Sequence, residues 1–330
     1  MSIMNNMKQI KYSEAILEAF TYLLENHEDV FVIGQGLWSP WYVGNSMKDL
    51  DKKFGRERII DTPVSENAVT GAAVGASLCG MRPIVVHPRM DFMLYAMDPI
   101  VNQAAKWSYM FGGQAHPQLT IRAIVNRGGE QGAQHSQILH SWFSHIPGLR
   151  VVMPFSVMDA RDLLISSVLS KDPVIFIDDR WLYEEKDTWQ EINFLELSQI
   201  SPQKISSGDY LTIISSGYST SLAQKVKDHF KILVPEKTIE IIDLRVVNPI
   251  NMSVINESIK KTGRLVVIDG GWKTCGLGSE IISSVVEHIN PSFIKAKPIN
   301  ISLKGSPAHA SGDLEKSYYT NEKEIIKKAI

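Results

Sequence analysis

The stretch Asp61-Thr-Pro-Val-Ser-Glu-Asn-Ala-Val-Thr-Gly-Ala-Ala-Val-Gly-Ala-Ser-Leu-Cys-Gly80 leaves the chain few ways to fold around it. Pro63 fixes its own φ and turns its neighbour away from helix, so Asp61-Thr62-Pro63 reads as a turn. Ser65 then stands where a helix N-cap is expected, and Glu66 falls in the first turn, where exposed N–H groups favour a carboxylate. Ala68, Gly71, Ala72, Ala73, Gly75 and Ala76 give the helix a side too small to hold anything at a distance. Such a helix packs against another backbone or a flat ligand. Gly80 is placed to end it, and Arg82-Pro83 leads into the apolar Ile84-Val85-Val86, a buried strand. From these residues alone Glu66 has two readings, a carboxylate answering the helix dipole or a functional group.

In chain order, Tyr12 to Asn26 has helical periodicity, with Ile16, Ala19, Phe20 and Leu23 on one side. Asp29 to Gly34 is a short strand that opens into Gly34-Gln35-Gly36 and an aromatic loop with Trp38, Pro40, Trp41 and Tyr42. That loop either lines a pocket or subunit contact, or packs on itself. Helices are expected over 47–54 and 93–105, and strands over 58–60 and 119–125. The latter opens into the glycine-rich segment Asn126 to Gly132, followed by Gln134-His135-Ser136. A histidine in such a loop makes a poor core residue, which points to function. His140 and His145 read as packing or interface residues, and His87, at a strand end, as a weaker candidate. Val151–Met153, Ser156–Ser170 and Pro173–Ile177 continue the alternation of strand and helix. The pattern stops over 181–208 and restarts with strands at 210–214, 239–242 and 265–268 and helices at 219–230, 252–262 and 278–289. The expected organisation is therefore α/β, with two parallel-sheet domains over 1–190 and 208–330 and a linker over 191–207.

Composition narrows the function. A formal charge of −2 over 330 residues carries no electrostatic footprint for nucleic acid or an anionic membrane. No apolar run is long enough to span a bilayer and Met1–Lys11 has no leader-like apolar stretch, so a cytoplasmic protein is expected. Cys79 and Cys275 are the only cysteines, which excludes a disulfide framework.

Several segments in order resemble one family. They are Arg58-Ile-Ile-Asp-Thr-Pro-Val-Ser-Glu66, Gly71-Ala-Ala-Val-Gly75, Gly80-Met-Arg-Pro83, Gln134-His-Ser-Gln137, His145-Ile-Pro-Gly-Leu149, Ile242-Asp-Leu-Arg-Val-Val-Asn-Pro249 and Val267-Ile-Asp-Gly-Gly-Trp272. Over nearly its whole length the chain resembles the β subunit of the thiamine-diphosphate-dependent E1 component of 2-oxo acid dehydrogenases. That subunit consists of a pyrimidine-binding fold followed by a transketolase C-terminal-like domain. The resemblance implies that Glu66 hydrogen-bonds N1′ of the cofactor's aminopyrimidine from a rather dry pocket, and that Phe92 stacks on that ring. It places His135 at the thiazolium end as a proton-handling group and Gln35 beside the cofactor, where the family commonly has glutamate.

The Gly-Asp-Gly…Asn pattern that holds Mg²⁺ and the diphosphate in this family is missing, so the metal ligands are expected on an α-type partner carrying that pattern. The implied assembly is an α₂β₂ heterotetramer in which β chains also pair with each other. The implied substrate is a small 2-oxo acid or ketose, with a lipoyl-domain protein as acceptor. Arg89, Arg127 and Glu130 make the expected pocket more polar than is usual. Two other functions stay open: a split transketolase-like carboligase, and a non-catalytic scaffold subunit. Trp272, set among glycines, is read either as a subunit contact or as closing its own domain core. Glu322 to Ile330 reads as an amphipathic end.

Overall fold

The structure is a computed structural model and describes residues 8–329. Most of the stretch read above for a leader, and Ile330, lie outside the described residues. The chain forms two compact units. One comprises residues up to Ile124 with Pro147–Leu149 and Ser156–Gln199; the other comprises Val125–Ile146, Arg150–Phe155 and residues from Ile200 onward.

In the first unit the strands Val174–Asp179, Thr120–Val125, Arg82–His87, Val30–Gly34 and Ile59–Asp61 lie side by side in that order. The registered pairs among the last four are all parallel. Thr120–Val125 and Val174–Asp179 are buried at every residue, as expected of strands covered on both faces. The Tyr12–Asn26 helix keeps its expected bounds and buries Ile16, Ala19, Phe20 and Leu23 completely. It packs on the Val157–Val168 helix, whose N-cap Ser156 accepts a hydrogen bond from Asp159 N–H at 3.1 Å. Gln9–Lys11 pairs antiparallel with Lys186–Thr188, a short ladder that the sequence pattern does not announce.

The expected helix over 93–105 forms, but its hydrogen-bonding type changes along its length. Met90–Ala96 is 3₁₀, residues 97–98 are α-helical, Pro99–Ala104 is π-helical and Ala105–Met110 is α-helical. Pro99, which can donate no backbone hydrogen bond, sits where the π-helical stretch begins. The 47–54 segment likewise divides, into a 3₁₀ turn over Gly44–Met47 and a helix over Leu50–Phe54.

In the second unit Ile299–Leu303, Leu265–Trp272, Leu211–Ser215 and Ile239–Asp243 form a parallel sheet, and Gln203–Ser206 joins its edge antiparallel. Its core gathers Ile213, Ile241, Ile268, Val226, Phe230 and Ile325. Met252–Thr262 keeps its expected bounds. Asn251 caps its start and Gly263, at φ +73°, closes its end. Val246–Asn248 pairs antiparallel with Arg150–Val152. Trp272 is partly buried against its own unit. Its indole N–H reaches Ser306 O at 3.1 Å and Tyr318 Oη at 3.0 Å, and its ring packs on Leu303, Ala308 and Tyr318.

Candidate active site

The first unit holds a narrow cleft that opens to solvent on one side. Gly34, Gln35, Thr62, Glu66, Val86, His87 and Phe92 are among the residues that line it. It sits where parallel strands end, which is where open α/β sheets place ligands. Gly34 ends its strand so close to its neighbour that a Cβ there would meet Val86 O at 2.3 Å. The next turn is held by Asp61, whose carboxylate accepts from Gly36 N–H at 2.6 Å and Leu37 N–H at 3.3 Å. Thr62 N–H donates to Gly34 O at 2.9 Å. These bonds fix the Gln35 backbone against the Asp61–Pro63 turn and leave the Gln35 side chain half-buried at the cleft.

Glu66 is the first residue of the Glu66–Leu78 helix. Ser65 occupies the N-cap position, as expected, but its side chain makes no capping hydrogen bond. The far end closes as expected: Gly80, at φ +93°, donates to Ser77 O, and Met81 N–H donates to Ala76 O at 3.2 Å. One face, Thr70, Ala73, Val74 and Ser77, is buried. The other, Ala68, Gly71, Ala72 and Gly75, is open, and a Cβ added at Gly71 or Gly75 meets nothing within 4 Å. The small-sided face thus packs on nothing among the described residues.

The Glu66 carboxylate is half-buried and makes no hydrogen bond or ion pair among the described residues. Across the cleft, His87 ends the Arg82–His87 strand at 3% exposure. Burial pushes its imidazole down to about 4, so the ring is neutral near pH 7. Thr70 Oγ1, one helical turn beyond Glu66, lies 3.4 Å from His87 Nε2. A bare carboxylate at a helix start, a neutral amide, a neutral imidazole and the half-buried ring of Phe92 around one slot suit a flat heteroaromatic ligand with nitrogen at its edges.

Two families cover most of the chain. "Transketolase, pyrimidine binding domain" matches residues 8–186 and "Transketolase, C-terminal domain" matches residues 203–325. The pyruvate dehydrogenase E1 component subunit beta of Rickettsia bellii is 35% identical over 96% of this chain and 97% of its own length. The mitochondrial human subunit of the same name is 31% identical over 96% of this chain and 89% of its own. This chain belongs to the E1 β-subunit family of 2-oxo acid dehydrogenases. The E1 β-type chain is also 39% identical, over 73% of its length and 70% of the relative's, to the beta subunit of acetoin:2,6-dichlorophenolindophenol oxidoreductase from Cupriavidus necator. A solved structure described as a split gene transketolase, inactive beta4 tetramer, superposes with TM-score 0.76 over 97% of this chain and 98% of that one. At 18% identity it is a likeness of fold alone.

Of the residues expected in the E1 β-type site, the first unit brings Glu66, Gln35 and Phe92 to one cleft. His135 belongs to the second unit, half-buried on the loop before the His140–Ser144 helix. Arg127 also lies in the second unit, its guanidinium 4.9 Å above the Tyr218 ring. Arg89 stays with the first, half-buried and donating to Pro88 O at 2.9 Å. His140 is more than a packing residue. Its Nε2 faces Asp269 Oδ1 at 3.0 Å, with both side chains 1% exposed. Burial alone would raise the Asp269 carboxyl, but His140 and the N–H groups of Gly271 and Gly278 hold it below the usual carboxylate range. The first unit has its own buried pair: Arg122 donates to both oxygens of Asp178, at 3.0 and 2.7 Å, and to Ser46 and Tyr183 hydroxyls.

Proposed function

We propose that this chain supplies the aminopyrimidine half of a thiamine-diphosphate site and works as the β subunit of a heteromeric 2-oxo acid dehydrogenase E1. The observation that carries the reading is the Glu66 carboxylate, unpartnered at the first turn of a helix in a cleft that also holds Phe92. Bound thiamine diphosphate supplies a carbon nucleophile and an electron sink for breaking the bond next to a carbonyl. Glu66 holds a proton at N1′ of the aminopyrimidine, and its half-buried setting leaves room for a partner surface to complete the dry pocket. Phe92 offers the ring a face to stack on, worth about a kcal/mol beyond its buried area. Gln35 lies beside the ring as a neutral amide, and His135 moves protons at the reacting end. The half-buried Arg89 favours an anionic or sugar-like substrate over a simple aliphatic 2-oxo acid.

The domain boundaries in this reading are 1–190 for the pyrimidine-binding domain, 191–207 for the linker and 208–330 for the C-terminal domain. An α-type subunit brings Mg²⁺ and the diphosphate cradle. Its contact surface includes the open Ala68, Gly71, Ala72 and Gly75 face, where nothing keeps a second backbone away. The expected assembly is α₂β₂. Sedimentation and thiamine-diphosphate titration, with Mg²⁺, of this chain alone and mixed with its α-type partner test the reading. Tight binding is expected only in the mixture, together with the mass of a heterotetramer. A stable monomer that binds the cofactor tightly by itself would contradict it.

A further inference from the structure

His87 makes little sense as filler. A strand end facing a cleft can be filled by an apolar residue, whereas an imidazole at 3% exposure loses its hydration and here recovers one long contact, Thr70 Oγ1 at 3.4 Å from Nε2. Nδ1 has no hydrogen-bond partner among the described residues, on a side chain that lines the cleft with Glu66 and Phe92. A polar atom without a protein partner, on a buried side chain that lines a cleft, marks a place for a ligand atom. The two nitrogens therefore divide the work. Nε2 is tied to the Glu66 helix through Thr70, which fixes the ring's orientation, and Nδ1 is left over on the side chain that lines the cleft.

We propose that His87 is a second ligand-recognition residue of this cleft, in which Nδ1 hydrogen-bonds the polar edge of a bound heteroaromatic ring opposite the edge that Glu66 takes. The inference rests on the reading of the cleft as the aminopyrimidine site. The imidazole stays neutral over the physiological range, because burial opposes its charge, so it adds an orienting hydrogen bond without placing a second charge near Glu66. Glu66 is the only other ionisable side chain lining the cleft among the described residues. No proton transfer is assigned to His87; its part is to hold the ring at the angle at which the Glu66 contact is made.

Two substitutions separate recognition from packing. His87→Asn keeps a polar group near the Nδ1 position, whereas His87→Gln keeps one near Nε2, within reach of Thr70, and leaves Nδ1 empty. The probe is thiamine diphosphate with Mg²⁺, titrated by fluorescence quenching into the complex reconstituted with the α-type partner. Circular dichroism melts serve as the control for folding. Loss of one hydrogen bond predicts that His87→Gln weakens binding roughly 10-fold. His87→Asn is expected to stay within about 3-fold of wild type, although it removes the Thr70 contact. Equal affinity for wild type and both variants would overturn the inference, as would the reverse order, which is what packing against Thr70 predicts. If the wild-type complex binds no thiamine diphosphate, the reading of the cleft fails and the inference falls with it. Binding by wild type that His87→Gln matches removes the His87 contact and leaves that reading standing.

Discussion

Two carboxylates, one in each unit, stand at opposite extremes. Asp269 is buried to 1% and answered on both oxygens, by His140 and by the N–H groups of Gly271 and Gly278. Glu66 is half-buried and answered by nothing among the described residues. The first arrangement is what a carboxylate needs in order to survive burial. The second leaves the carboxylate free to take up another molecule, at no cost to the fold when that molecule is missing. Partnership rather than burial therefore separates the residues that hold this protein together from those available for chemistry.

The largest expected effect comes from breaking a satisfied pair. Asp178→Ala leaves Arg122 charged and 0% exposed, its surroundings having been built around that carboxylate. Removing one partner of such a pair costs about 3–5 kcal/mol, so urea unfolding should show the unfolding free energy reduced by that amount. Glu66→Ala, which removes an equally charged group, should stay within about 0.5 kcal/mol. Equal costs for the two would dissolve the comparison.

His87 lies between the extremes, buried like Asp269 but with one nitrogen unanswered. Its folded-state value of about 4 lies below the ordinary 6.5, so the unfolded chain takes up a proton there more readily than the folded one. The contribution is full above pH 6.5 and is lost as pH falls towards 4, about 3 kcal/mol in all. Unfolding free energies of wild type and His87→Asn, measured from pH 7 to 4.5, should show the steeper decline in wild type. Parallel curves would place the imidazole in a wetter setting than the cleft provides.

The smallest contrast concerns two serines at helix starts. Ser156 accepts from Asp159 N–H and should cost about 1 kcal/mol when replaced by alanine. Ser65 makes no capping bond, so Ser65→Ala should cost no more than a few tenths. A thermal melt of each variant resolves the difference.

Much of the fold is legible because its signals are local. Tyr12–Asn26 and Met252–Thr262 carry helical periodicity with recognisable ends, and both keep their expected bounds. The segment after Asp91 is legible as helix from its apolar periodicity, but its change of type at Pro99, which can donate no backbone hydrogen bond, is not. Ile299-Asn-Ile-Ser-Leu303 alternates like a strand, but it is too short to stand out from the lysines and prolines before it. In the site, Glu66, Gln35 and Phe92 are legible through the order of the family segments. The pairings are not. Arg122 with Asp178, His140 with Asp269 and Thr70 with His87 each join residues far apart in sequence, and only the folded chain brings them together.

The central claim is that Glu66 is unpartnered because its partner is the cofactor. The direct measurement is deuterium exchange at C2 of thiamine diphosphate bound to the complex with the α-type partner, for wild type and Glu66→Gln, with melting temperature followed in parallel. Exchange is expected to slow roughly 10²- to 10⁴-fold in the variant, the usual contribution of a positioned acid–base group, with no change in melting. Exchange at the wild-type rate in a folded, cofactor-loaded variant would contradict it.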